Sequence, residues 1–327
     1  MKRGLLLFFM LIFLSLSLAG CNQRKNVTGS GEILTVEYNS PMDIDSIRVS
    51  QIRMVKGRFI VPVEVNIYGG NEKKITLYGQ KEIIDSIDIS STFGTLTVTG
   101  DASSNYITES FKVDVYGYSL ASLRFQLSTV NVEAQALSND VSIDLDYASD
   151  LTLDSFYGRT LGATLKSKSS LDIESLDLSS SLSLSMKEES TAKIGGVRSQ
   201  DLRATLDNQS TLDIVSDSIE NTIFTLYSDS KINISGKAKA VDLIMTQSNY
   251  YGKDCVSNSI AINVGYGKSK VEVTALDSIT VNSALGDCNV TYFGKKPTIT
   301  KTNISGSVVI ESGESLDSEY PKIYFYK

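Results

Sequence analysis

The chain runs to 327 residues with 31 basic and 38 acidic side chains, a net charge of −7, and it holds neither histidine nor tryptophan. An acidic surface repels phosphate backbones, so nucleic acid is excluded as an expected partner. The missing histidine removes the commonest general base and metal ligand, and with it any nucleophile–histidine triad.

In chain order, the first element reads as an export signal. Lys2 and Arg3 precede an apolar run, Leu5 to Leu18, broken only by Ser15 and Ser17. Its length suits a signal-peptide core and falls short of the roughly 20 residues of a membrane span. The run ends in Leu18-Ala19-Gly20-Cys21, which resembles a lipobox. That resemblance implies a lipoprotein signal peptide over 1–20 and acylation of Cys21, palmitate included, as the mature N-terminus. More than one acyl chain is needed for a stable anchor. Residues 21–30 read as a polar tether. Without residues 1–20 the chain carries 29 basic against 38 acidic residues, a net of −9.

Residues 31–117 hold short, unevenly spaced strand patterns, among them Ile44 to Val49, Val61 to Tyr68, Thr95 to Val98 and Phe111 to Val115. Gly69-Gly70 and Gly100-Asp101 read as turns between them. This region is expected to start and cap a stack, because an open stack exposes unpaired strand edges.

Residues 118–310 are regular. Ser128, Ser149, Ser169, Ser190, Ser210, Ser230 and Ser269 each open a phrase of serine, any residue, apolar, polar, apolar. The steps are 21, 20, 21, 20, 20 and 39, with Asn249 standing where a missing phrase should start. An alternating run ends four residues before most of these serines, as in Leu161 to Leu165 and Leu202 to Leu206. Each unit thus holds two short strands and a polar corner, and a unit this small must stack on copies of itself. The predicted fold is all-β: a single-stranded β-helix or solenoid with turns of about 20 residues, capped by the irregular N-terminal strand region. Leu151, Leu171, Ala192, Leu212 and Ile232 should form one internal ladder and Leu153, Ile173, Ile194, Ile214 and Ile234 its neighbour. No proline occurs between Pro62 and Pro297, as a long paired stretch requires. Alternation alone leaves open a sandwich of antiparallel hairpins. Residues 311–327 read as a terminal strand or tail, with Tyr320, Tyr324, Phe325 and Tyr326 covering an open edge.

Candidate functional residues are few. With Cys21 acylated, Cys255 and Cys288 remain, as a disulfide in an oxidising compartment or as two buried thiols. Tyr250 and Tyr251 lie beside Cys255 in an irregular stretch, and Tyr266 follows Val264-Gly265. Exposed tyrosines stack on sugars or anchor protein contacts; packing at a corner is the competing reading. Asp172 and Asp213 recur at one outward position two turns apart, roughly 10 Å, just beyond the spacing of a glycosidase acid pair. Asp140, Asp144, Asp146 and Asp150 offer oxygen ligands to calcium or simply a solvated face.

Several phrases resemble the auto-transporter adhesin family called the head GIN domain. They are Gly29-Ser30-Gly31-Glu32-Ile33, Ile44 to Ser50, Ile84-Asp85-Ser86-Ile87 leading to Gly94 to Val98, and Gly286-Asp287-Cys288-Asn289-Val290-Thr291-Tyr292-Phe293-Gly294 with Pro297, then Ile304 to Ser307. The resemblance covers about residues 30–310. It implies an envelope or surface protein with a β-helix-like body and no established enzymatic activity. Pro62 and Cys255 depart from the expected register.

These readings together predict a lipid-anchored cell-envelope protein, at the outer membrane or cell surface. It acts as a non-enzymatic scaffold or adhesin-like surface, without cofactor or metal. Its partners are the membrane, through the lipid, and a surface protein or polysaccharide. A carbohydrate-binding module or carbohydrate-active enzyme on a β-helix is the alternative.

Overall fold

The computed structural model describes residues 24–313. The export segment, Cys21 and the terminal aromatics from Tyr320 to Tyr326 lie outside the described residues.

The alternation of apolar and polar residues is satisfied by parallel stacking. Strands Asp150–Leu165, Ser170–Met186, Thr191–Leu206, Thr211–Tyr227, Lys231–Thr246, Asn249–Val264 and Lys268–Ala284 each bend through most of one coil. Each pairs in parallel with the next, in register, so the chain forms a β-solenoid with two walls. Antiparallel pairing is confined to the N-terminal region among the described residues. Both internal ladders form as the alternation predicts: Leu151, Leu171, Ala192, Leu212 and Ile232 pair in sequence, as do Leu153, Ile173, Ile194, Ile214 and Ile234. All ten are buried, and each contributes roughly 1.5–3 kcal/mol for a large aliphatic side chain.

The stack is longer than the serine phrases indicate. One wall runs from Thr95–Thr99 through Ser46–Ser50 and Leu120–Gln126 up to Thr298–Ile304. The other runs from Phe111–Tyr116 through Val63–Tyr68 and Ser128–Val132 up to Val308–Ser312. Each wall counts twelve layers, about 50 Å at the usual strand spacing. Part of the expected cap therefore belongs to the solenoid. Its two coils are placed out of chain order, with residues 46–68 lying between 95–116 and 120–132. Sequence spacing cannot show such an inversion, because a repeat period assumes that successive turns are neighbours. The end is closed by Lys74–Gln80, paired antiparallel on Phe111–Tyr116, by Ile33–Tyr38, antiparallel on Lys74–Gln80, and by Asp88–Thr92 on Thr95–Thr99. Pro62 sits between strands Phe59–Val61 and Val63–Tyr68, so it costs no ladder bond.

The reading of residues 21–30 as a tether is corrected. Lys25–Thr28 is a strand paired in parallel with Ser104–Ile107. Its polar side chains suit an exposed edge strand as well as a linker, which is why composition misled.

Five of the serine corners turn without glycine. The two residues before Ser149, Ser169, Ser190, Ser210 and Ser230 all have positive φ: Tyr147-Ala148, Ser167-Lys168, Glu188-Glu189, Asn208-Gln209 and Ser228-Asp229. That conformation costs roughly 1–2 kcal/mol per residue for most side chains. Hydrogen bonds between coils offset it: Ala148 N–H donates to Ser167 O, Lys168 N–H to Glu188 O and Gln209 N–H to Ser228 O, all at 2.9 Å. The serines are fully buried. Ser149, Ser169 and Ser210 Oγ donate to the carbonyls of Asp146, Lys166 and Asp207 at 2.6–2.7 Å. Gln209→Gly should relieve the strain at φ +62° and raise stability by about 0.5–1 kcal/mol in a denaturant titration.

Candidate functional site

The register around Tyr250 decides which aromatics reach solvent. The missing serine phrase starts at Ser248, not Asn249: Ser248 is buried, Asn249 pairs with Lys231, and Tyr250 pairs with Ile232. The step from Ser230 is only 18 residues because the coil loses one residue at the irregular edge, between the Ser216–Gly236 and Ile219–Ala238 pairs, and one more at the corner. A single residue, Gln247, has positive φ there instead of two. Tyr250 consequently joins the internal ladder at 1% exposure and cannot touch a ligand. Its ring packs on Phe224, centroid to centroid 5.9 Å. Gly252, in the neighbouring ladder, leaves the room. A Cβ on Gly252 would lie 2.5–2.7 Å from the Tyr250 ring and hydroxyl. The pair Tyr250/Gly252 thus replaces Ile232/Ile234 of the coil before by one large and one small residue.

Tyr251 faces outward in the column Thr152, Asp172, Lys193, Asp213, Asn233, Tyr251, Glu272 and Thr291. Its ring lies between two ammonium groups, Lys231 Nζ at 5.1 Å and Lys270 Nζ at 5.3 Å from the centroid. Cation–π contacts of this kind contribute about 0.5–1 kcal/mol at exposed sites. Beside it lies an open cleft of about 440 Å³, lined among others by Lys193, Asp213, Val215, Asn233, Tyr251 and Lys253. Asp213 accepts a hydrogen bond from Asn233 Nδ2, and Glu272 is held by Lys270 at 2.7 Å. Lys193, Lys231 and Lys253 form no ion pair with a described residue. Contrast the irregular edge, where Arg159 clamps Asp140, Arg198 reaches Asp217 and Lys239 reaches Glu220.

Tyr266 is 74% exposed but sits at the serine corner, on the turn Gly265-Tyr266-Gly267, not on the wall with Tyr251. The three tyrosines named from the sequence therefore do not converge. The cleft lysines are far apart in the chain, and a phrase starting at Asn249 would put Tyr251 in the internal ladder; the observed start at Ser248 brings it into the column of Lys193, beside the column of Lys231 and Lys270.

Cys255 and Cys288 are free and buried, so the disulfide alternative is not realised. They occupy different places in the coil. Cys255 pairs with Gly236 at the irregular edge, whereas Cys288 pairs with Ser269 and ends the serine ladder. Burial raises the thiol pKa to about 12 for Cys255 and about 11 for Cys288. Both thiols should resist a disulfide exchange reagent at pH 8 in the folded chain and react fully in denaturant. Rapid native labelling of either would contradict this burial.

The acidic candidates are engaged or dispersed. Asp140 accepts from Arg159 Nε and Nη2 at 3.0 and 2.6 Å and from Thr160 Oγ1 at 2.7 Å, and the guanidinium holds its carboxyl below the usual range. Asp144 faces Arg124 at 3.4 Å, and Asp150 accepts from Ser170 Oγ. Asp172 and Asp213 do stand two coils apart, with Lys193 between them.

The parallel two-walled stack places the chain in the class of β-solenoid proteins. The family model described as "Putative auto-transporter adhesin, head GIN domain" matches residues 60–176 and again 169–295. The chain belongs to this family. The double match follows the repeat, since either half of the solenoid presents the same pattern. Among solved structures, a putative lipid binding protein from Parabacteroides distasonis is 14% identical with a TM-score of 0.43, covering 89% of this chain and 100% of its own. A putative adhesin from Parabacteroides merdae is 16% identical with a TM-score of 0.39 over the same shares. A putative adhesin from Parabacteroides distasonis is 16% identical with a TM-score of 0.40, covering 88% and 100%. No curated protein is similar in sequence.

Proposed function

We propose that the chain is a lipid-anchored envelope protein whose solenoid displays a non-enzymatic, adhesin-like binding wall. The observation that carries this reading is the cleft on that wall, where Tyr251 lies between Lys231 and Lys270 and where Lys193 and Lys253 have no ion-pair partner among the described residues. A rigid repetitive wall holds such groups in fixed positions with little entropy left to lose on contact. Aromatic and cationic side chains at a rigid surface are the usual anchors of a protein interface, so a surface protein is the partner we favour. The membrane attachment rests on Cys21 and its preceding segment. No described helix is long and apolar enough to cross a membrane.

Two variants test this. Cys21→Ser should move the chain from the membrane fraction to the soluble one. Tyr251→Ala with Lys231→Glu should lower capture of the immobilised chain by envelope or cell-surface extracts at least tenfold, about 1.4 kcal/mol, without changing its melting. Undiminished capture would remove the wall as the binding surface.

A further inference from the structure

The N-terminal edge of the solenoid carries features that the binding wall does not use. Lys25–Thr28, Ser104–Ile107, Met54–Lys56 and Phe59–Val61 form a separate four-stranded sheet there. The last two strands make a hairpin through Gly57-Arg58. Its tip is apolar and exposed: Phe59 is 77% and Ile60 47% accessible. Consecutive residues of a strand face opposite ways, so the tip is apolar on both sides. Ile107, Val55 and Ile60 also pair across three strands in one row. Basic residues surround this edge, with Arg24 and Lys25 on one side and Lys56 and Arg58 at the hairpin, although the chain as a whole is acidic. Arg24 and Arg53 line an open cleft of about 410 Å³ beside Tyr147. Arg53 Nε finds no hydrogen-bond partner among the described residues.

Position ties these features together. Only Asn22, Gln23 and Arg24 separate Cys21 from the paired strand that begins at Lys25. Four residue steps reach at most about 14 Å. The hairpin lies three strands across the same sheet, about 14 Å, and its Lys56/Phe59 end stands four residues further along the strands, so about 19 Å from Lys25 in all. An acylated Cys21 would therefore hold the Lys25 end of this sheet within about 14 Å of the headgroups, and a sheet lying along the membrane brings the hairpin tip to the same surface. The geometry points to a membrane-docking surface: the Phe59–Ile60 tip dips into the bilayer interface, and Arg24, Lys25, Arg53, Lys56 and Arg58 meet anionic headgroups. Apolar burial and basic attraction to anionic lipid are additive contributions to such binding. The solenoid is then fixed at its N-terminal end, and the remaining coils extend from the membrane. This inference rests on the lipid-anchor reading above.

The absence of tryptophan supplies the test. The full-length chain carrying Phe59→Trp, and separately Val215→Trp on the exposed binding wall, is placed in vesicles of phosphatidylethanolamine and phosphatidylglycerol that contain brominated lipid. Trp at 59 should emit at shorter wavelength and be quenched; Trp at 215 should not. Adding Lys56→Glu and Arg58→Glu should abolish most of the quenching at 59. Equal, solvent-like emission from both positions in the membrane-bound chain would overturn the docking surface. The mass of the N-terminal peptide reads the anchor independently. If Cys21 proves unacylated, the anchor reading falls, and quenching at 59 by added vesicles then supports, or its absence overturns, the surface alone.

Discussion

Leu212→Asp is expected to lower the stability of the solenoid by about 4 kcal/mol, the range for an uncompensated buried charge. Leu212 is fully buried and stacks between Ala192 below and Ile232 above. Neither neighbour offers a hydrogen bond to a carboxylate. The damage should spread, because in a stacked repeat each coil owes part of its stability to the interfaces on both sides. Hydrogen exchange should rise in residues 192–194 and 232–234 as well as in the mutated coil. The matched change one residue along, Asp213→Asn, replaces an exposed side chain and should leave denaturant midpoints within about 0.5 kcal/mol. Equal effects from both substitutions would mean that the two positions do not face opposite ways.

Gly252→Ile is the second large effect, and it is conditional. The added Cβ alone would come within 2.5 Å of the Tyr250 ring. That ring is boxed in by Phe224 and cannot leave the core. Overpacking of this kind costs about 1–3 kcal/mol or more. Tyr250→Ile alone should cost a similar amount by leaving a cavity. The double substitution reproduces the Ile232/Ile234 pair of the coil before, so it should recover most of the loss. A double-mutant cycle on melting reads the coupling directly. Simple additivity would show that Tyr250 and Gly252 do not share one space.

Much of this architecture was legible in the sequence. The serine phrases gave the coil length and the two internal ladders because a coil of near-constant length puts chemically similar residues on top of one another. Three features were not legible. The inverted order of the coils at 46–68 and 95–116 leaves no mark in the local pattern, since each segment alternates normally. The corners carry Glu188-Glu189 and Asn208-Gln209 at positive φ, where turn chemistry predicts glycine, because bonds between coils replace the intrinsic preference. The shortened corner at Gln247 shifted the phase by one residue, which exchanged the roles of Tyr250 and Tyr251. Cys288 continues the serine ladder as a buried small polar residue; its identity as a cysteine drew attention to disulfide chemistry instead of to its place in the repeat. Of the proposed contact residues, Tyr251 was visible as an aromatic, whereas Lys193, Lys231 and Lys253 become neighbours only once the coils are stacked.

The account depends on residues one coil apart standing one strand spacing apart along a single axis. Spin-label distances measure this most directly, using the unacylated Cys21→Ser chain in which the buried Cys255 and Cys288 stay unlabelled. Labels at Thr152 paired with Asn233, Glu272 and Thr291 span four, six and seven coils of one outward column. At about 4.8 Å per coil the backbone separations should be roughly 19, 29 and 34 Å, rising linearly. Distances that fail to grow with coil number, as in a sandwich of antiparallel hairpins, would contradict the parallel stack.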